Sequence, residues 1–331
     1  MNRCISCAQN QFDAINGNQP QHKEIIARFI NKAGARRNAA HKVISTGFTK
    51  LDDYVGGFRP GELTVLASRP DAGKSLLALQ FAYNAALHGA KVMYFALEIG
   101  ASELALYLLS QRSHVPLRAL RQDSDLEEHQ IAALISAVDE SKGCDIRFYD
   151  TPGLSISEIE SMIKASVISS ESVLCVIDYL QLVKSPVERT SASQTDFKER
   201  MTNQRAHEIE HIVYGLKTMA ESLGAQVIAL AMLPRKIEPG PQSTKRPLLQ
   251  DFANPSIILG ADTLLMLDHS MSQTEATGHR RPEKNEANII IAKNAHGVCR
   301  DYRVAFDAEC MPFSEKGADT VNTERGNGRN D

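Results

Sequence analysis

Short, continuous apolar runs alternate along this chain with segments whose apolar residues recur every three or four positions. Buried strands separated by helices produce that pattern. The apolar runs are Leu63 to Ala67, KVMYFALE finishing at Glu98, DIRFYD at 145–150 and VLCVIDYLQLV, whose strand closes at Asp178. QVIALAML, ADTLLMLD, ANIIIAKN and YRVAFDAE follow. Helical spacing predicts LLALQFAYNAAL, ended by Gly89, and residues 101–142, interrupted near Pro116. SISEIESMIKASVISS opens with a Ser cap and carries Glu158 three residues after Ser155, a capping-box spacing. Residues 44–61 carry turn signals. Strands alternating with helices place the fold in the α/β class, with a mostly parallel central sheet flanked by helices.

The pattern also sets domain boundaries. Residues 1–20 are polar, rich in Asn and Gln, and expected to be disordered. Residues 21–43 hold a short helix at about 22–33, striped by Ile25, Ile26, Phe29 and Ile30, and then the basic ARRN. Residues 44–314 form the main domain, and 315–331 a polar tail expected to be disordered.

Composition narrows the setting without naming a chemistry. The chain has 331 residues, 43% hydrophobic and 23% charged, with a net charge of −3, so any nucleic-acid site must be a local basic patch. No apolar run reaches membrane-spanning length, and MNRCISCAQNQ lacks the apolar centre of a secretion signal. Cys175 lies inside an apolar run and Cys144 just before one, as reduced core thiols do, which predicts a cytoplasmic location. Cys4 and Cys7 form one CxxC pair with no second pair or nearby histidine pair, a weak zinc signal.

ELTVLASRPDAGKS, residues 62–75, carries the chemistry. A strand breaks into a tight turn, Lys74 and Ser75 follow, and a helix begins. A phosphate-binding loop needs that context. Its backbone N–H groups, on the loop of Ser68, Arg69, Pro70 (which carries none), Asp71, Ala72 and Gly73, and the helix N-terminus attract anions. Lys74 would neutralise the outer phosphates of ATP and the Ser75 hydroxyl would hold Mg²⁺. The strict pattern opens with Gly, where Ser68 stands. An ordinary surface turn explains the loop alone, but not its flanking strand and helix. Glu98 and Asp178 are acids at strand ends, the edge where open α/β sheets bind ligands. Asp178 suits the group that orients Mg²⁺ and its water.

Two basic stretches stand between apolar segments: 184–206, with Lys184, Arg189, Lys198, Arg200 and Arg205, and PRKIEPGPQSTKRP, with Arg235, Lys236, Lys245 and Arg246. His207-Glu208-Ile209-Glu210-His211 matches the HExxH zinc pattern. No third ligand follows it, and Ile209, Ile212, Val213 and Leu216 make the buried stripe of the same helix. An exposed histidine pair is the simpler reading.

Together these pieces resemble the C-terminal ATPase domain of DnaB-type replicative helicases, a RecA-like P-loop fold preceded by a short linker helix. The matching segments are STGFTKLDDYVGGFRPGEL, ASRPDAGKS, FALEIGASEL, DTPGLSISEI, VIDYLQLV, QVIAL and IIIAKN, in the family's order over roughly residues 44–310. That family tolerates a small residue where Ser68 stands. The resemblance implies an ATP-dependent helicase that forms a ring, usually hexameric, and moves on single-stranded DNA during replication. It implies Lys74, Ser75 and Asp178 as phosphate and Mg²⁺ contacts and Glu98 as general base. It also implies DNA-holding pore loops in the two basic stretches and a linker helix that packs on the adjacent protomer. The family's N-terminal domain, which recruits primase, is expected to be missing, since about forty residues precede the match.

Two positions depart from the family. Met232 stands where a glutamine senses the γ-phosphate, although Arg235 is retained. The lysine of the hairpin Lys-x-Arg is kept as Lys293, but the arginine finger reads Ala295. Arg300 and Arg303 follow on the next strand as possible substitutes. The alternative to a motor is therefore a subunit that binds ATP and DNA, hydrolyses weakly, and assembles with, loads or inhibits a complete helicase.

Overall fold

The computed structural model describes residues 43–122, 126–166, 172–185, 197–234, 246–269 and 286–315, with backbone alone over 197–203. The expectations for residues 1–20, the helix at 22–33 and the tail lie outside the described residues. Nine strands make one sheet in the order β3-β2-β4-β5-β1-β6-β7-β8-β9. They are β1 (Leu63–Ser68), β2 (Lys91–Ala96), β3 (Ile146–Tyr149), β4 (Val173–Asp178), β5 (Gln226–Met232), β6 (Thr263–Asp268), β7 (Glu286–Asn294), β8 (Asp301–Phe306) and β9 (Phe313–Glu315). β3 through β6 in that spatial order are parallel, and β7, β8 and β9 add an antiparallel margin.

The apolar runs become strands buried on both faces: β1 and β4 are buried at every residue. Both faces must therefore be covered. One is covered by α1 (Thr49–Val55) and α2 (Lys74–Leu87), where Phe48, Phe81, Leu66 and Tyr94 join one core. α3 (Ala101–Ser113), α4 (Leu117–Arg121) and α5 (Glu128–Glu140) follow β2. α6 (Ile156–Ser166), α7 (Phe197–Leu223) and α8 (Ser256–Gly260) supply Ile159, Ile212, Leu216 and Ile257 to the other core. Each face removes aromatic and branched side chains from water, at roughly 1.5–3 kcal/mol per large side chain.

Local signals explain most boundaries. The capping box before α6 is present: the Ser155 amide donates to Glu158 at 2.8 Å, and the Glu158 amide to the Ser155 hydroxyl at 3.3 Å. The helical stretch 101–142 is broken, as Pro116 predicts, into α3, α4 and α5. Residues 44–61 hold a helix as well as turns, because the Asp52 carboxylate accepts from the Thr46 amide at 2.9 Å and from the Ser45 hydroxyl and so closes a local knot around α1. β9 has no sequence signature. It forms because Gln80 of α2 donates to the Phe313 carbonyl at 2.7 Å and accepts from its amide at 2.9 Å.

The topology gathers the functional edge. Ser68 pairs with Met232 and Leu267, and Ala96 with Asp178, so the carboxyl ends of β1, β2, β4, β5 and β6 share one rim. β7 returns antiparallel, so Lys293 and Asn294 lie beside Leu264 and Thr263 at the opposite rim.

Candidate functional site

At the carboxyl rim, β1 ends in the loop 69–73 and α2 begins at Lys74. Gly73 has φ +90°, which an L side chain adopts only with strain, and a Cβ there would meet the Phe313 ring at 3.4 Å. The first α2 backbone bond runs from the Leu77 amide to the Gly73 carbonyl. The amides before Leu77 thus stand outside the helical ladder, at the positive end of the helix dipole. Ser68 is fully buried; its hydroxyl donates to the Arg69 carbonyl at 2.8 Å. The Arg69 guanidinium stands 4.0 Å from the Asp251 carboxylate, joining the loop to the 3-10 turn Leu249–Asp251.

Lys74 and Ser75 are buried, and the Lys74 ammonium lies 3.6 Å from the Glu98 carboxylate and 5.3 Å from the Tyr179 ring centre. Glu98 falls two residues past β2 rather than at its last residue; the ladder continues only through the Leu97 amide, which donates to the Asp178 carbonyl at 2.8 Å. Asp178 is wholly buried, and Tyr94 donates to its Oδ2 at 2.9 Å. Burial pushes the Asp178 carboxyl upward, against the Ser75 hydroxyl, the Lys74 charge and the Tyr94 hydrogen bond, which favour its ionised form. The Tyr94 phenol is pushed well up by burial and by Asp178 beside it, so it remains a donor. No donor among the described residues reaches Asp178 Oδ1 at hydrogen-bonding geometry, although the atom is buried.

That orphaned oxygen tests whether Mg²⁺ fits. A hexahydrate-like Mg²⁺ keeps several waters and takes one or two protein oxygens plus phosphate. One hydroxyl, Ser75, and one carboxylate oxygen with nothing else to bind match that donor set. Among the described residues no group of three or more His, Cys, Asp or Glu could hold a metal by itself. In the HExxH segment His207 and His211 are exposed on α7, while Ile209, Ile212, Val213 and Leu216 face the core.

A cleft of about 450 Å³ opens over the loop, lined by residues 70–76, Glu98 and Met232. Tyr107, Leu117, Phe306 and Met311 give it an apolar and aromatic wall, with Arg121 and His269 also on its lining. His269 packs against Phe306 at 4.5 Å between ring centres, and burial lowers its pKa, which keeps it neutral near pH 7. Met232 brings a thioether, with no hydrogen-bond donor, to the cleft.

The remaining expected residues scatter. Lys293 is at the opposite rim, where its ammonium donates to the carbonyls of Ile258, Leu259 and Ala261 at 2.8, 3.2 and 2.5 Å. It thereby caps α8. Ala295 is exposed in the β7–β8 turn, Arg300 stacks 4.3 Å from the Tyr54 ring centre, and Arg303 is exposed on β8. Of the expected DNA contacts, Lys184 is exposed, Arg205 pairs with Glu208 and the Gln181 carbonyl, and Arg246 pairs with Asp301 at 2.6 Å. Two of these three cations are thus paired within the chain, both at exposed positions. Arg189, Arg235, Lys236 and Lys245 lie outside the described residues, as do the side chains of Lys198 and Arg200. Sequence reading missed Tyr94 and Gln181. Tyr94 is a lone phenol in an apolar strand, which only its partner gives meaning; Gln181 sits in plain view in DYLQL.

Comparison with known proteins shows the family. The family model "DnaB-like helicase C terminal domain" matches residues 43–315. The chain is 30% identical over 286 residues to the replicative DNA helicase DnaB of Leifsonia xyli subsp. xyli, covering 86% of this chain and 58% of that protein. It is 32% identical over 287 residues to the replicative DNA helicase DnaC of Bacillus subtilis, covering 85% and 57%. The chain therefore spans a little over half the length of these curated relatives. Among solved structures, an isolated ATPase domain superposes with a TM-score of 0.74 at 25% identity, covering 90% of this chain and 99% of that one. A DnaB-like replicative helicase, described with its interactions with primase, gives 0.73 at 25% identity, covering 95% and 75%.

Two substitutions separate site from scaffold. Asp178→Asn removes a buried charge but keeps an acceptor for Tyr94, so thermal melting of the nucleotide-free protein should hold or rise by roughly 2–4 °C, about 1 kcal/mol; a fall of several degrees would contradict the reading. Lys293→Ala should lower urea-measured stability by about 1–3 kcal/mol without any nucleotide, because carbonyls at the end of α8 lose their donor.

Proposed function

The chain belongs to the DnaB-like helicase C-terminal domain family, and we propose on that basis that it is an ATP-hydrolysing motor domain acting on single-stranded DNA. The observation that carries the proposal is the convergence of Lys74, Ser75, Glu98 and Asp178 at one rim, with a buried Asp178 oxygen left for a metal-bound water. When bound, ATP and Mg²⁺ supply the transferable phosphoryl group and the charge that offsets it. The loop amides and the α2 N-terminus bind the phosphates. Lys74 exchanges its Glu98 partner for phosphate oxygens, and that exchange frees the Glu98 carboxylate to take a proton from the attacking water. Ser75 and Asp178 would hold Mg²⁺, which would offset the charge of the phosphates. The wall of Tyr107, Leu117, Phe306 and Met311 suits the flat face of a base.

An assembly of copies, hexameric in this family's manner, is part of the proposal. α5 presents Ile131, Ile135 and Val138 at helical spacing with 44%, 59% and 50% exposure, an apolar stripe that nothing among the described residues covers. A neighbouring copy is the occupant we assign to it. Loading factors and primase are further partners to test, with soluble cytoplasmic DNA as the setting.

A second reading has a specific support. Met232 in the cleft has no polar group to offer a γ-phosphate, and Ala295 has no charge to offer a neighbour. An absent arginine finger slows phosphoryl transfer by about 10³–10⁵-fold. That reading makes the chain a weakly hydrolysing subunit that works with a complete helicase.

Steady-state ATP hydrolysis with and without single-stranded DNA distinguishes the two. The motor reading expects DNA-stimulated turnover that Lys74→Ala and Glu98→Gln each reduce by at least about 10²-fold. Bound ATP with turnover no higher than in those variants selects the weak subunit. Light scattering tests the assembly: Ile135→Glu should yield smaller species that remain folded by circular dichroism, since the side chain is exposed in the single chain. Unchanged size would exclude the α5 stripe as a subunit contact.

A further inference from the structure

The stretch that follows Asp178 makes an arrangement that neither phosphate binding nor Mg²⁺ binding requires. Leu180–Leu182 form one 3-10 turn between the end of β4 and the basic stretch before α7. Gln181, inside that turn, uses its side-chain amide as a strand residue would use its backbone. Its Nε2 donates to the Met232 carbonyl at 3.3 Å and its Oε1 accepts from the Met232 amide at 3.3 Å. This pair extends the β4–β5 ladder past its last backbone pairing, Ile177 with Ala229. Met232 in turn lines the nucleotide cleft.

The other side of Gln181 faces α7. Its carbonyl accepts from one terminal nitrogen of Arg205, whose second terminal nitrogen meets Glu208 on the same helix. Burial, with Glu98 and Asp178, pushes the Tyr179 phenol up against an opposing pull from Arg205, and the Tyr179 ring sits beside the Lys74 ammonium. The planar guanidinium holds its two terminal donors in a fixed fork, a geometry that a lysine's single, rotatable ammonium does not reproduce.

We propose that Gln181 and Arg205 are positioning residues that clasp the cleft-lining end of β5 to α7, so that nucleotide binding resets α7, and that Arg205 spends its charge inside the fold rather than on DNA phosphate. The proposal rests on the nucleotide-site reading above. It follows from the three-part chain Met232–Gln181–Arg205: the cleft wall and the helix after the basic stretch share one side chain, and neither can shift without breaking one of its bonds. It also gives a reason for Met232. A residue whose backbone is held on both sides needs no polar side chain to report its position.

Hydrogen exchange on the full chain, with and without a non-hydrolysable ATP analogue, reads nucleotide binding at residues 70–77 and the clasp at 204–216. The unsubstituted chain should gain protection in both. In Arg205→Ala, Arg205→Lys and Gln181→Ala, protection at 70–77 should persist while the response at 204–216 falls by about fivefold or more, a typical coupling. Arg205→Lys, on an exposed helix position, keeps the test intact should Gln181→Ala unfold. An undiminished response at 204–216 in the variants, or no response there in the unsubstituted chain, overturns the clasp. Absent protection at 70–77 overturns the nucleotide reading as well.

Salt-dependent binding of an oligo-dT strand tests the second half. Arg205→Ala should leave the slope of log K against log salt unchanged. A slope shallower by about 0.7, one single-strand phosphate contact, overturns the internal role of Arg205. Failure of the unsubstituted chain to bind the strand removes the DNA reading and leaves the exchange result to decide the clasp.

Discussion

Burying the Asp178 carboxylate takes it out of water, and the fold answers that loss from three sides. Tyr94 donates from β2, the Ser75 hydroxyl lies near from α2, and the Lys74 charge stands close by. None of these reaches Oδ1. A buried acceptor with no partner costs roughly 1–3 kcal/mol, more when charged. The rest of the site depends on this one acid. Its strand must lie between β2 and β5, its oxygen must face α2, and the turn after it must pass beside Lys74.

From that constraint the neighbouring loops acquire their places. The Gln181 amide holds the end of β5, and Arg205 holds Gln181. On the other flank Asp251 faces Arg69, and Asp301 holds Arg246. Both basic stretches are thus tied at their described ends to the rim that carries the phosphate loop. The proposed motor would need its polymer-binding parts and its nucleotide site to feel each other's state, and short polar ties between stiff elements are a physical way to meet that need.

Much of this was legible in the residues. The apolar runs located eight of the nine strands among the described residues, and strand ends and loop position placed Lys74, Ser75, Glu98 and Asp178 on the rim where the fold brings them together. β9 was not, since three residues paired through Gln80 have no periodicity to read. Neither was α1, whose knot is made by Asp52 reaching back to Ser45 and Thr46. The basic residues were read by charge alone, and charge does not reveal a partner. Arg205, Arg246 and Lys293 all look like free cations in sequence, yet each is engaged by acceptors brought near by the fold. Tyr94 is the converse case: a polar atom in an apolar strand becomes meaningful only when β4 lies alongside.

The central claim is that Asp178 Oδ1 and Ser75 are kept for a divalent cation that arrives with nucleotide. Calorimetric titration of the unsubstituted chain with a non-hydrolysable ATP analogue, with Mg²⁺ and then with a chelator, tests it most directly. One site per chain is expected, with binding at least about tenfold tighter with Mg²⁺, roughly 1.4 kcal/mol. Binding of equal strength in the chelator would contradict it, because the orphaned oxygen would then have no metal-bound water to accept from.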